Sequence, residues 1–136
     1  FESGEDQIAI RMYKETLRVE RASLDHNHPD IILTLQHLAK IHQQLGDLQT
    51  AMEYFLEALD IERKREGENK LVSVAKILNL VGNIQLQRGN VSEMMHCYVE
   101  ASRIYEARQQ SGEALVLTGY NFYGLSKMHP LCAPVA

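Results

Sequence analysis

One period governs this sequence. Gly4, Gly46 and Gly89 stand 42 and 43 residues apart, and Tyr13, Phe55 and Tyr98 stand at the same intervals. Ala9, Ala51 and Met94 repeat them again. In a separate column, Leu35, Leu78 and Tyr120 are 43 and 42 apart. The segments LNLVGNIQ (78–85) and YNFYGLSK (120–127) then set Asn79 against Asn121 and Gly82 against Gly124. Columns agreeing on one long period describe a chain of repeated supersecondary units. Each unit buries its apolar face on the next, because none can do so alone.

Within each unit the apolar rhythm is helical. Leu35, Leu38, Ala39 and His42 recur at helical spacing, and Ala51, Phe55 and Ala58 do so after a Gly46-Asp47 turn. Gly46 suits the left-handed conformation that ends a helix, and Asp47 suits the cap of the next one. Gly89-Asn90 repeats this turn. The reading is a lone helix over 4–23, a hairpin over 29–66, a second hairpin over 70–110 and a terminal helix over 113–128. Together they form one repeat domain, 1–128, with a tail at 129–136. Met128-His129-Pro130 stops the last helix. The expected fold is all-α, a right-handed solenoid of antiparallel helical hairpins with about six helices.

Bulk composition narrows the function. The chain has 136 residues, a formal net charge of −4 and interspersed charges. That balance argues against nucleic acid or an anionic membrane as the main partner. The basic run Arg63-Lys64-Arg65 closes a helix and complements its dipole. Two cysteines, Cys97 and Cys132, suggest no disulfide framework, so a reducing, cytoplasmic setting is expected. No apolar run is long enough to span a bilayer and no signal-peptide pattern is present, so a soluble intracellular chain is expected. A start at Phe1 rather than Met suggests a processed chain or an excised piece.

The columns Leu35, Leu38, Ala39, His42, Gly46, Ala51, Phe55 and Ala58 resemble the tetratricopeptide repeat. The usual unit of that family is about 34 residues, whereas the period here is 42 to 43. The longer period, the ALDIER segment at 58–63 and the HPDI start at 28–31 look like the kinesin light chain type. Departures are Leu35 and Leu78 where an aromatic is frequent, His42 and Gln85 in place of tyrosine, and Met94 in place of a small residue.

The resemblance implies a non-catalytic interaction module, an adaptor or scaffold, whose first helices line a concave groove. Its inward positions would be Leu33, Gln36, His37, Lys40 and Gln43, then Lys76, Asn79, Leu80, Asn83 and Leu86, then Thr118, Asn121, Phe122 and Leu125. Asparagine and glutamine there suit the backbone of a peptide, and the lysines suit acidic side chains. The clamp with which some of these domains hold a chaperone's C-terminal carboxylate is missing. Its positions read Gln36 and Lys40, Leu80, and Thr118 and Phe122. The partner is expected to be a protein or peptide, with no cofactor.

A second function class is structural. The lone helix over 4–23 carries Ile8, Ile10, Met12, Tyr13 and Val19, so an exposed apolar edge is expected there. Ile8, Ile10 and Met12 would mediate self-association, giving a homodimer. Catalysis has little support, since no nucleophile motif or phosphate-binding glycine loop is present. Asp25, His26, His28 and Asp30 cluster in one connection. A loop pair of histidines falls short of the three or four ligands a metal site assembles, so no metal is expected. Tyr13, Phe55, Tyr98 and Tyr105 read as core.

Overall fold

The computed structural model describes residues 4–67 and 70–110. Among the described residues it is all-α, with no strand. Five helices follow in order: α1 (Gly4–Ser23), α2 (Pro29–Gln44), α3 (Leu48–Lys64), α4 (Lys70–Gln87) and α5 (Val91–Gln110). The expected helix over 113–128 and the tail lie outside the described residues. The chain divides into two compact units, one ending at Lys70 and the next beginning at Leu71.

In the first unit, α2 and α3 form the antiparallel hairpin and α1 packs on α2. Proline sits at the start of α2, where its missing N–H is no loss. His28 caps that helix, its Nδ1 accepting the Asp30 N–H at 3.1 Å. The hairpin turn closes through two backbone bonds. The Gly46 N–H reaches Gln43 O at 3.1 Å and the Asp47 N–H reaches His42 O at 2.9 Å. This is a Schellman closure, and Gly46 takes the φ of +85° it requires. The second turn repeats it. Gly89 lies at φ +81°, with Gly89 N–H to Leu86 O at 3.0 Å and Asn90 N–H to Gln85 O at 2.8 Å.

Ile31, Ile32, Leu35, Leu38 and Ala39 of α2 are buried, as are Ala51, Met52, Phe55, Ala58 and Leu59 of α3. Ala39 and Ala51 are both fully buried, which lets the two backbones approach. Polar links tie α1 to its neighbours. Thr34 donates to Glu20 at 2.6 Å, Arg21 pairs with Glu57 of α3, and Tyr13 stacks on His37 at 5.2 Å.

Helix α3 ends at Lys64 rather than at residue 66. Arg65 is already extended, and its Nε donates to Glu62 at 2.7 Å. Glu62 is only 3% exposed, so this bond satisfies a carboxylate that would be costly to bury alone.

Asp47 caps α3 by accepting the Thr50 N–H at 3.2 Å. Its hydrogen bonds with Thr50, assisted by nearby His42, hold its carboxyl below the usual carboxylate range. A depressed folded-state pKa means stability that is present above the unfolded pKa and lost as pH falls through the folded one. Loss of this cap is expected to make Asp47→Ala cost about 1 kcal/mol at neutral pH. Asp47→Asn is expected to keep most of the cap while flattening the acid limb of a Tm-versus-pH curve below about pH 4. Thermal melts between neutral and acid pH check both variants.

In the second unit, Met94 and Tyr98 of α5 form a buried pair, with Leu86, Val91 and Met95 packed around it. Gly82 of α4 packs tightly against α5. A Cβ added there would lie 2.7 Å from Tyr98 Cε1 and 3.3 Å from Cys97 Cβ. The Tyr98 hydroxyl donates to Asn83 Oδ1.

Candidate functional site

The expected binding positions fall on α2 and α4 with unequal exposure. On α2, Lys40 and Leu33 are exposed, and Gln36, His37 and Gln43 are half-buried. His37 is partly consumed by its stack on Tyr13. Polar, accessible chemistry on α2 therefore centres on Gln36, Lys40 and Gln43.

On α4 the picture departs further from a solvated row. Lys76 is exposed and Leu80 is half-buried. Asn79 is 7% exposed, and its Oδ1 has no hydrogen-bond partner. Asn83 is held by Tyr98, and Leu86 packs on the Met94–Tyr98 pair. Asn83 and Leu86 thus serve the α4–α5 interior at least as much as any surface. Asn121, Phe122 and Leu125, like Thr118, lie outside the described residues.

The self-association positions are also divided. Ile8 is 54% and Met12 66% exposed, whereas Ile10 is half-buried. Val19, at 47% exposure, lies on the same outer face. Ile10 and Tyr13 turn towards the side that α2 covers, because they sit nearer in helical angle to buried Leu17.

Among the described residues, no three His, Cys, Asp or Glu side chains converge as metal ligands. In the connection between α1 and α2, the His28 Nδ1 is engaged in capping. A cleft of about 590 Å³ opens there, lined by Asp25, His26, His28 and Arg65 among others. Its cation Arg65 is already bound to Glu62.

Two features escaped the sequence reading. One is the Glu62–Arg65 link, whose only signal is an acid three residues before a base at a helix end. The other is the set of contacts made by His42, whose Nδ1 lies 3.5 Å from Asp47 Oδ2 and whose ring lies 5.7 Å from Tyr54. Its Nε2 is buried without a partner. No helix among the described residues is long and apolar enough to cross a membrane.

Comparison with known proteins agrees with this geometry. The chain is 29% identical over 102 residues to the photosystem I assembly protein Ycf3 of Synechococcus elongatus. The same figures hold for Ycf3 of a second Synechococcus strain. The match covers 75% of this chain and 55% of the relative, so the chain spans about half the length of the curated relatives it matches. Residues 1–64 match the family model for the tetratricopeptide repeat. That stretch holds α1, the Schellman turn at Gly46 and the α2–α3 hairpin. Over residues 1–64 the chain is therefore similar to the tetratricopeptide repeat family.

Proposed function

We propose that this chain is a non-catalytic protein-interaction module that binds a peptide on the polar faces of its first helices. The observation that carries the reading is the pairing of rigid, Gly-closed hairpins with exposed Lys40 and Lys76 on the first helix of each. A preformed helical face loses little entropy when it binds, so a few polar contacts suffice for modest affinity. The likeness to Ycf3, which is an assembly protein by name, supports a role in bringing proteins together. The period of 42 to 43 residues supports the kinesin light chain type of repeat. The two-cysteine composition supports a reducing, cytoplasmic setting.

The test is selection of peptides from a displayed library against the full chain, followed by titration of a selected peptide. Lys40→Glu with Lys76→Glu reverses the exposed charge on both first helices, so a peptide held on either one is expected to weaken by about tenfold or more, with a steep salt dependence. Unchanged affinity in a folded double variant defeats the reading. These lysines are better probes than Asn79 and Asn83. Removing Asn83 costs Tyr98 the hydrogen bond that its hydroxyl donates, and Asn79 is buried.

A second reading makes the outer face of α1 an association surface. It is favoured by the exposure of Ile8 and Met12.

A further inference from the structure

The cap of α2 is made by a histidine, and that residue type sets a condition on pH. Pro29 has no N–H, and the Ile31 N–H goes to His28 O at 3.1 Å. The Asp30 N–H is thus the donor left for the capping side chain, and His28 Nδ1 accepts it at 3.1 Å. Serine, threonine, asparagine and aspartate, the residues favoured at this position, accept through oxygen at neutral and mildly acid pH. An imidazole nitrogen accepts only while it carries no proton. The bond therefore requires a neutral His28 ring with its proton on Nε2. Histidine is also the side chain suited to change charge between about pH 8 and pH 5.

The surroundings give the charged ring a second partner. Asp30 Oδ2 lies 3.8 Å from the same Nδ1, too far for a hydrogen bond but within reach of a small side-chain rotation. The other charged groups near the ring come from two elements. Asp25 and His26 belong to the same connection, where the His28 N–H donates to Asp25 O at 3.0 Å. Arg65, beyond the end of α3, shares the cleft that Asp25, His26 and His28 line, and its charge is met by Glu62. The His28 side chain is 36% exposed, so a proton reaches it from solvent without unfolding.

We propose that His28 is a pH-operated latch on the first turn of α2. Neutral, it holds the Asp30 N–H. Protonated, its Nδ1 becomes a donor facing another donor, and it turns to the Asp30 carboxylate. A backbone cap is exchanged for a side-chain ion pair. The positive end of the helix dipole opposes a cation there and the carboxylate favours one, so the exchange alters local order more than overall stability. The body of α2 stays in place. Ile31 and Ile32 are buried, and Thr34 is bonded to Glu20 of α1. Acid therefore remodels the α1–α2 connection and one wall of its cleft, not the hairpin. The latch goes beyond peptide binding and does not rest on it.

The experiment follows backbone amides and the His28 ring nitrogens of the isotope-labelled full chain by NMR, from about pH 8 to pH 5. At the upper end the ring is expected as the Nε2–H tautomer. On acidification, exchange protection at Asp30, corrected for the intrinsic pH dependence of exchange, is expected to fall about fivefold in step with His28 protonation. Protection at Leu38, in the middle of α2, should hold. In His28→Asn, whose side-chain oxygen caps throughout this range, Asp30 protection should stay constant. In His26→Gln the wild-type response should persist. Asp30→Asn removes the carboxylate, so release should need a lower pH.

Four results overturn the proposal. They are a ring with its proton on Nδ1 at the upper end, Asp30 protection that ignores pH, a response that survives His28→Asn or vanishes in His26→Gln, and a release midpoint unmoved by Asp30→Asn. Loss of protection along the whole of α2 overturns it too, since that is general acid unfolding and not a latch.

Discussion

Phe55→Ala is expected to cost about 3–5 kcal/mol, a large share of what holds a domain of this size together. The side chain is fully buried, and it enters the α2–α3 hairpin whose other large members, Leu35 and Leu38, are equally inaccessible. Truncation removes the apolar surface that drove burial and leaves a cavity that two helices joined by a tight turn cannot easily close. The adjoining Leu56 is 47% exposed, so Leu56→Ala is the matched control and should stay within about 0.5 kcal/mol. Urea titration followed by circular dichroism gives both values. The expected drop in Tm for Phe55→Ala is about 10 °C or more. A cost no greater than that of Leu56→Ala would mean that this hairpin is not the stabilising unit of the chain.

Gly82→Val carries the second large effect, about 3 kcal/mol of destabilisation. Local propensity argues the other way at first. A helix interior prefers most residues to glycine, and alanine by about 1 kcal/mol. Tertiary contact decides the sign. A Cβ at this site meets the Tyr98 ring at 2.7 and 2.9 Å, and that ring is 2% exposed and tethered through its hydroxyl to Asn83. It cannot swing aside without losing both packing and a hydrogen bond. Gly82→Ala should therefore cost about 1–2 kcal/mol despite its better propensity. A double-mutant cycle with Tyr98→Ala should show a coupling above about 1 kcal/mol. Additive effects, or a stabilised Gly82→Ala, would show that α4 and α5 do not meet at this point.

How far the fold was legible depends on which level of physics wrote each feature. The period and the turns are local. Gly46 and Gly89 each sit after a helical run, and a Schellman closure needs a residue that tolerates positive φ. The turns could thus be found by letter and spacing. The all-α class followed from the same columns. Exposure of Ile8 and Met12 was also readable, since an amphipathic helix with apolar residues on two sides has one side to spare.

The expected binding row was only half legible, and α4 shows why. Buried positions on α2 span an arc of about 160° at 100° per residue, leaving Gln36 and Lys40 at its margin or beyond. Buried positions on α4 span about 220°. That wider arc takes in Asn79, which the family resemblance had placed among the groove positions. Leu86 and Asn83 were drawn inward in the same way, one to the Met94–Tyr98 pair and the other to the Tyr98 hydroxyl.

Repetition in the letters is enough to set helix, turn and hairpin, because those depend on backbone preferences and apolar spacing within a few residues. Which polar residue stays wet depends on how much of each helix its neighbours cover. That coverage is set by side chains distant in sequence, such as Tyr98 against Gly82 or Arg65 against Glu62. No period within a single helix encodes it. Tertiary packing alone therefore decided that Asn83 holds Tyr98 and that Glu62 and Asn79 are buried.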